Sequence, residues 1–323
     1  MSETLLYLSR ADVEKVDLPM SDIIDAVEAM FREKGEGRTE MPPKPGIHPS
    51  RDGFIHAMPA YVPAVAAAGL KWVSAYPENK DRGLPYVSGL ITMNDPSNGL
   101  PTAVLDCTWV TAMRTAAATA VAAKHLARPE SRVMGILGCG VQGRSNAEAL
   151  ACQFDLDLIL AYDHRASNSD RYVEEVSAKL DVTVERVDSA REAVHGADLV
   201  VTAGPILKQP TPTIEAGWLQ EGAFACPLDF DSYWTGEALA AIDKLATDDQ
   251  AQLGYYREMG YFSETPAVYA DLGEIVAGSK PGRGSPNERT MSINLGLALE
   301  DVVTALPIIE RARAMGIGTE LSL

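Results

Sequence analysis

The stretch of residues 131–150, SRVMGILGCGVQGRSNAEAL, constrains the fold of this chain more than any other. Its apolar start predicts a buried parallel strand at residues 133–137, and the pattern that follows Gly143 is helical. Between the two, glycines occur in the spacing G-x-G-x-x-G, which is typical of a turn that binds a dinucleotide. The turn residues that we expect to contact a dinucleotide are Gly138, Gly140, Val141, Gln142 and Gly143.

Each glycine has a separate task in such a turn. Gly138 allows the sharp turn out of the strand, Gly140 lets a pyrophosphate approach the backbone, and Gly143 lets the new helix pack close to the sheet. The N–H groups and the dipole at the start of the helix favour an anion there. A glycine-rich turn without a ligand is the alternative, because such turns are common.

A carboxylate at the expected position supports the dinucleotide interpretation. A second apolar run, residues 156–162, ends at Asp163, which lies 20 positions after Gly143. An acid at that position binds the ribose hydroxyls and repels a 2′-phosphate, so we predict a preference for NAD(H) over NADP(H). Arg165 follows closely and is a further candidate for cofactor binding, because its charge would weaken that repulsion.

The order of elements predicts two domains. After residue 128, helices alternate with strands expected at 156–162, 182–187, 197–203, 224–228 and 244–247, which predicts an α/β domain with a doubly wound parallel (Rossmann) sheet. Before it, helices precede strand-like runs at 53–59, 69–76, 86–94 and 102–106, which predict an antiparallel sheet. A helix at 108–127 joins the two parts, and a loop after Gly282 leads to a last helix at 295–315. We therefore expect a dinucleotide-binding domain at 128–295 and an α+β substrate-binding and dimerisation domain at 1–127 plus 296–323.

Composition and charge exclude several classes of partner. Hydrophobic residues make up 46% of the 323 residues and charged residues 23%, as in ordinary globular proteins. No apolar run approaches the ~18 residues that span a bilayer, and the N-terminus lacks the basic start of a signal peptide. We therefore expect a cytoplasmic protein that binds no membrane. The net charge of −17 argues against a nucleic-acid partner, and the four cysteines lack metal-ligand spacing, so we expect free thiols and no metal.

Three polar residues are candidates for chemistry. Lys71 lies in the apolar run GLKWV, Arg114 lies in the Ala-rich helix, and Asp231 follows a strand in PLDFDSYW. Ligands bind beyond the carboxyl ends of strands in open parallel sheets, which favours Asp231. Structural roles remain open for all three: Lys71 could extend to solvent, Arg114 could be a surface cation, and Asp231 could cap the next helix.

Residues 112–143, AMRTAAATAVAAKHLARPESRVMGILGCGVQG, resemble the signature of the ornithine cyclodeaminase/mu-crystallin family. The segments HAMP from His56, KWV from Lys71, LGEIVAGSKPGR from Leu272 and GLALEDV from Gly296 agree with that resemblance. The resemblance covers nearly the whole chain. It implies a two-domain fold, a nicotinamide cofactor, a small imino or amino acid as substrate, and a homodimer built through the substrate domain.

The resemblance also implies roles for single residues. Lys71 and Arg114 would bind the substrate carboxylate, with Lys44 as a third cation and Lys71 also close to the chemistry. A guanidinium suits this task because its planar fork holds a carboxylate with two hydrogen bonds. Thr115, next to Arg114, would reach the cofactor pyrophosphate.

The proton carrier at the substrate nitrogen has two candidates. Asp231 aligns with the catalytic aspartate of the family. The usual G-G-D or G-A-D context has become Asp229-Phe230-Asp231 in this chain, so Asp229 remains a rival.

The residues around His56 bear on the substrate. By resemblance, true cyclodeaminases place a Glu at this position, where it meets the distal ammonium of ornithine. Here His56 is accompanied by Lys44, His48 and Arg51, so the ammonium of ornithine would have no acidic partner. A buried unpaired ammonium costs several kcal/mol, and ornithine should therefore bind badly. We therefore predict an NADH-dependent imino-acid reductase that acts on a dicarboxylate, forming L-aspartate from iminosuccinate, with His56 or Arg51 on the second carboxylate. Several alternatives remain. His56 could be a structural histidine. The protein could be an alanine dehydrogenase, a pyrroline-2-carboxylate reductase, an ornithine cyclodeaminase or a nucleotide-dependent binding protein.

Overall fold

A computed structural model describes residues 4–50, 53–207 and 209–323, and these residues form two compact units. The first unit comprises Met1–Arg114 and Leu297–Leu323, and the second comprises Thr115–Gly296. The strands are β1 (Thr4–Leu8), β2 (Gly46–Ile47), β3 (Phe54–Val62), β4 (Ala67–Ala75), β5 (Val87–Asn94), β6 (Pro101–Asp106), β7 (Val133–Leu137), β8 (Leu158–Tyr162), β9 (Thr183–Arg186), β10 (Leu199–Thr202), β11 (Phe224–Pro227), β12 (Lys244–Thr247), β13 (Ala270–Asp271), β14 (Thr290–Ile293) and β15 (Thr319–Ser322). The helices are α1 (Arg10–Val16), α2 (Met20–Gly35), α3 (Thr108–Leu126), α4 (Val141–Gln153), α5 (Ala166–Lys179), α6 (Ala190–Val194), α7 (Gly236–Ala240), α8 (Gln250–Glu258), α9 (Leu272–Val276) and α10 (Ala298–Met315).

The first unit is built on a mostly antiparallel sheet. Within the described residues, seven strands lie in the order β15-β1-β6-β5-β4-β3-β2, and β1 and β6 form a parallel pair. Side chains of β3 alternate between buried and half-buried positions, as expected for a strand with one face on the core. Helix α10 packs against β3, β4 and β5 and also against α2. The long apolar helix α10 therefore supplies much of the core of this unit.

The second unit contains the predicted doubly wound sheet, so the predicted fold class is confirmed. Among the described residues, eight parallel strands lie in the order β13-β12-β14-β11-β10-β7-β8-β9. The chain passes outward from β7 to β9 and then returns to place β10 on the other side of β7. This reversal creates the crevice at the carboxyl ends of β7 and β10 where ligands bind in open parallel sheets.

Strand β14 differs from the expected loop after Gly282. It consists of four buried residues and lies between β11 and β12 in the interior of the sheet. The last helix accordingly begins at Ala298, three residues later than expected. In the part of the chain that the structure describes, no helix is both long and apolar enough to span a membrane.

Candidate active site

The glycine turn of the second unit has the geometry that its sequence predicts. Gly138 has a φ of 101°, and a Cβ placed there would lie 2.6 Å from the carbonyl oxygen of Ala203. A Cβ on Gly143 would lie 2.5 Å from the carbonyl oxygen of Gly138. A Cβ on Gly140 would meet nothing within 4 Å among the described residues. The outer two glycines thus allow tight packing, whereas Gly140 leaves open space in front of the turn.

The start of α4 faces this open space. Gly140 is its N-cap and has no side chain to cap the helix, and Val141 is 65% exposed. Backbone N–H groups in the first turn of a helix have no intrahelical partners and attract anions. The observed turn therefore fits the pyrophosphate of a dinucleotide, and Gln142 follows in the same first turn.

Asp163 lies against the same turn, at the carboxyl end of β8. Its carboxylate accepts hydrogen bonds from the backbone N–H groups of Cys139 (3.1 Å) and Arg165 (3.0 Å) and from the side-chain amide of Asn168 (3.0 Å). These bonds fix the carboxylate where the ribose hydroxyls of a bound dinucleotide would lie. The Arg165 side chain is exposed at the start of α5.

An open cavity adjoins Asp163 at the carboxyl ends of β8 and β10. Its lining includes Tyr162, His164, Pro205, Leu207 and Tyr233. In a doubly wound sheet the adenosine half of a dinucleotide binds in this position. The turn, the acid and the cavity together fit a bound NAD(H).

The two rival aspartates follow β11 and have different surroundings. Asp229 is fully buried and accepts hydrogen bonds from the hydroxyl of Thr202 (2.8 Å) and the backbone N–H of Gly204 (2.9 Å). Burial raises the pKa of Asp229 to about 7. Asp231 is half-buried and accepts a hydrogen bond from the hydroxyl of Thr265 at 3.1 Å. Burial also raises the pKa of Asp231.

Phe230 separates the two carboxyl groups. Its φ of 63° lies in the left-handed region, which non-glycine residues adopt at a cost. Its ring packs against Tyr256, Tyr261 and Phe262 at centroid distances of 4.9, 5.3 and 4.9 Å. This aromatic cluster holds the turn, so that Asp229 points into the protein and Asp231 stays partly accessible. The difference favours Asp231 as the group that meets a ligand.

Lys71 and Arg114 belong to a buried charge cluster in the first unit. Lys71 is 1% exposed, and its Nζ lies 2.7 Å from Oδ2 of Asp301. Arg114 is 5% exposed, with Nε 2.9 Å from Oδ1 of Asp301 and Nη1 2.5 Å from Oε2 of Glu300. Burial lowers the pKa of Lys71 and raises that of Glu300. The two structural alternatives, a solvent-directed Lys71 and a surface Arg114, are therefore wrong.

Glu300 and Asp301 were missed as site residues by the sequence analysis. They lie in the first turn of α10, where acidic residues commonly face solvent and interact with the helix dipole. The run LALEDVVTAL around them does contain a signal, because a helix that is apolar on all sides is buried. Charged residues inside such a run must have charged partners.

His56 lies near this cluster, and Lys44 lies near His56. His56 is opposite Val73 and Met58 is opposite Lys71 in the β3–β4 pairing, so that His56 and Lys71 share the buried face of the sheet. Lys44 precedes β2 and is 8% exposed.

His56 itself is 8% exposed, and its ring stacks on Phe54 at a centroid distance of 4.1 Å. Burial, together with the charges of Lys44 and His48, lowers the pKa of His56 to about 3. His56 is therefore neutral at pH 7, so it would meet the predicted second carboxylate as an uncharged imidazole.

Arg51 and Thr115 are the two remaining residues that the sequence predicts for the site. Arg51 lies outside the described residues. Thr115 is half-buried in α3, and its carbonyl oxygen accepts a hydrogen bond from the Thr119 hydroxyl at 3.3 Å.

The sheet topology and the glycine turn define a dinucleotide-binding α/β protein of the doubly wound class. The model of the ornithine cyclodeaminase/mu-crystallin family matches residues 4–316. The chain therefore belongs to that family, as its sequence predicts.

Known relatives are similar over nearly their whole length. The Δ(1)-pyrroline-2-carboxylate reductase of Thermococcus litoralis, solved in complex with NADH and L-proline, is 36% identical, with a TM-score of 0.89 over 98% of this chain and 99% of that one. The alanine dehydrogenase of Archaeoglobus fulgidus is 34% identical over 99% of this chain and 98% of its own. The iminosuccinate reductase of Paracoccus denitrificans, solved with NAD+, has a TM-score of 0.83 over 99% of this chain and 100% of its own, but is 21% identical, so it shows a shared fold alone. The expected class, an NAD(H)-dependent oxidoreductase that acts on amino or imino groups, is confirmed.

Proposed function

We propose that this protein reduces an α-imino acid that carries one carboxylate, with NADH as the hydride donor. Pyrroline-2-carboxylate and the imine of pyruvate are substrates of this kind. The observation that carries the proposal is the pair of buried cations Lys71 and Arg114, which Asp301 and Glu300 hold in place. A pair of this kind suits one substrate carboxylate. His56 is neutral at pH 7 and supplies no charge for a second carboxylate.

Different residues would bind the substrate, transfer the proton and hold the cofactor in such a reaction. Arg114 and Lys71 bind and orient the substrate carboxylate, which holds the imine in one geometry. Asp231 carries the proton that the substrate nitrogen gains during reduction and loses during oxidation. NAD(H), when bound to the glycine turn and Asp163, supplies or accepts the hydride.

A dicarboxylate imine is the second candidate, and His56 favours it. A neutral imidazole can still donate one hydrogen bond to a second carboxylate, and Lys44 lies near enough to His56 to depress its pKa. In this version the enzyme forms L-aspartate from iminosuccinate. A second carboxylate beside His56 would raise the pKa of the imidazole and recruit a proton to it.

The same surroundings argue against ornithine as a substrate. Burial is the main cause of the lowered pKa of His56, and the nearby charges of Lys44 and Lys71 lower it further, so two cations act on this position. A distal ammonium would be repelled here. A cyclodeaminase would require an acidic partner at the position of His56.

We also propose that the protein is a homodimer formed through the outer face of the first unit's sheet. Trp72 and Leu90 are directly opposite each other on β4 and β5, and they are 46% and 45% exposed. Adjacent exposed apolar side chains of this size are typical of protein interfaces. An archaeal alanine dehydrogenase that is 33% identical, with a TM-score of 0.89 over 99% of this chain and 100% of its own, was solved as a dimer with NAD.

The substrate is tested by NADH oxidation. Purified protein is mixed with NADH and, separately, pyrroline-2-carboxylate, pyruvate plus ammonium, or oxaloacetate plus ammonium, and ornithine is tested with NAD+. We expect turnover with one of the monocarboxylates and at most weak turnover with oxaloacetate. A rate with oxaloacetate alone would replace this proposal by the second candidate. Proline formation from ornithine without net change in NADH would overturn both.

A matched pair of variants tests the carboxylate role. Arg114→Lys keeps the charge but loses the planar fork, so we expect KM for the imine to rise about tenfold or more, with NADH affinity unchanged. Arg311→Lys makes the same exchange at an exposed position of α10 and should leave KM unchanged. Equal effects in the two variants would contradict the assignment of Arg114.

A further inference from the structure

We propose that Tyr233, which packs against Gly204, donates a hydrogen bond to the pyrophosphate of bound NAD(H). Neither the sequence motifs nor the family resemblance assigns a role to this tyrosine. Its role rests on the proposed site for NAD(H) at the glycine turn, and it does not depend on which imine is reduced.

Contacts at the carboxyl end of β10 connect Tyr233 to the glycine turn. A Cβ on Gly138 would lie 3.2 Å from the backbone nitrogen of Gly204. A Cβ on Gly204 would in turn lie 2.2 Å from Cε2 and 2.7 Å from the hydroxyl oxygen of Tyr233. Gly204 is therefore close to both the turn and the tyrosine ring. A dinucleotide crosses the crevice of a doubly wound sheet here, with its pyrophosphate on the glycine turn.

The hydroxyl of Tyr233 is available to a ligand. Tyr233 is half-buried and lines the open cavity beside Asp163, and its hydroxyl makes no hydrogen bond within the described part of the chain. Burial, followed by the charges of Asp229 and Asp163, raises the pKa of Tyr233 to about 12. The hydroxyl thus keeps its proton at neutral pH and can donate it to an acceptor.

A pyrophosphate oxygen is the acceptor that suits this donor. Phosphate oxygens are charged, and hydrogen bonds to charged acceptors are the stronger ones. Tyr233 follows β11, which lies beside β10 on the side away from β7. The pyrophosphate would accept hydrogen bonds from the N–H groups of α4 and, across the crevice, from Tyr233. Because Asp231 lies two residues before Tyr233, a single turn would carry the proton and contact the cofactor.

The hydroxyl is tested by Tyr233→Phe, which keeps the ring. The dissociation constant of NADH, measured by fluorescence titration, should rise about tenfold, because a hydrogen bond to a charged group is lost. ADP-ribose and ADP, which carry the pyrophosphate, should lose affinity by a similar factor when they displace NADH. Adenosine, which lacks it, should bind as it does to the wild type. Unchanged NADH affinity, or an equal loss for adenosine, would overturn the inference.

Tyr255→Phe is the matched control for this exchange. Tyr255 lies in α8, is half-buried and packs against the same apolar core as Tyr233, but it is not among the residues that line the cavity beside Asp163. All four ligands should bind to this variant as they do to the wild type. A loss of NADH affinity equal to that in Tyr233→Phe would overturn the inference.

A double variant tests the packing of Tyr233 against Gly204. Gly204→Ala adds a Cβ that collides with the tyrosine ring, so it should weaken NADH binding about as much as Tyr233→Ala does. In the absence of the ring this collision disappears, so the double variant should bind NADH no more weakly than Tyr233→Ala alone. Additive losses would show that the two residues act independently and would overturn the inference.

The cofactor site and the role of Tyr233 fail separately. A wild-type protein that binds no NADH would overturn the site itself, and the role of Tyr233 with it. Wild-type binding of NADH combined with unchanged affinity in Tyr233→Phe would overturn the role of Tyr233 alone.

Discussion

Asp229 and Asp231 show how two identical side chains in one turn acquire different properties. The buried Asp229 carboxyl is hydrogen-bonded on both oxygens, whereas Asp231 is half-buried with one bond to Thr265. We expect Asp231→Asn to lower kcat by about 10²- to 10⁴-fold, the usual effect of losing a general acid or base. Asp229→Asn should lower kcat much less. Steady-state rates at saturating NADH measure both, and the reverse order would make Asp229 the proton carrier.

Asp229 also predicts a pH dependence of stability. Its pKa is raised from 3.8 to about 7 in the folded protein, so the folded state keeps a proton that the unfolded chain releases. Stability due to this group is therefore greatest at low pH and is lost as the pH rises from about 4 to about 7. Asp229→Asn removes this loss. Relative to the wild type, the variant should gain about 1 kcal/mol of unfolding free energy per pH unit in that window.

Thermal unfolding at several pH values measures this difference. The wild type is the reference at each pH, so that other acid-sensitive groups contribute equally to both proteins. Parallel curves for the two proteins would contradict the pKa shift of Asp229.

We expect the single residue Asp163 to govern the choice between NADH and NADPH. Its carboxylate is fixed beside the glycine turn by three hydrogen bonds and should repel a 2′-phosphate. We expect Asp163→Ser to lower the ratio of kcat/KM for NADH to that for NADPH by about tenfold or more. Asp170→Ser, which removes an exposed acid of α5, is the control. A ratio that stays constant in Asp163→Ser would show that another residue selects the cofactor.

At the scale of elements, the glycine turn was predictable because its physical requirements are local. Spacing, an apolar strand and a following helix all lie within 20 residues. Strand β14 was not predictable in this way, because its four residues follow a polar segment and acquire strand structure from β11 and β12 on either side. Glu300 and Asp301 are a similar case, since their partners are distant in sequence. Lys71 is 230 residues from Asp301, and Arg114 is 186 residues from Glu300.

The close packing at Gly143 predicts how a substitution in the glycine turn changes stability and NADH binding. A Cβ at Gly143 would collide with a backbone oxygen, so Gly143→Ala should destabilise the protein by about 1–3 kcal/mol and weaken NADH binding. Gly254→Ala is the matched control, because Gly254 lies in α8 and a Cβ there meets nothing within 4 Å among the described residues. That variant should gain about 0.5–1 kcal/mol. Thermal unfolding and NADH titration test both, and equal stability of the two variants would contradict the packing argument.

At the scale of the whole molecule, the exposed pair of Trp72 and Leu90 predicts the assembly. Trp72→Lys places a charge on the proposed interface and should convert the dimer to monomers at micromolar concentration. Met315→Lys is the control, because Met315 is 51% exposed at the end of α10, the helix that packs on the opposite face of the sheet. Analytical ultracentrifugation distinguishes the two states. A Trp72→Lys protein that remains dimeric would place the interface elsewhere.

The nested order of the two units has a consequence for folding during synthesis. The second unit is one continuous segment, Thr115–Gly296, inserted into the first, so it can fold while the ribosome is still translating α10. The first unit must wait, because Lys71 and Arg114 obtain their carboxylates from the first turn of that helix. Until then the nascent β-strands of the first unit carry unneutralised cations at positions destined for burial, and this charge opposes their premature collapse. Glu300 and Asp301 would thus set the moment at which the first unit completes its fold.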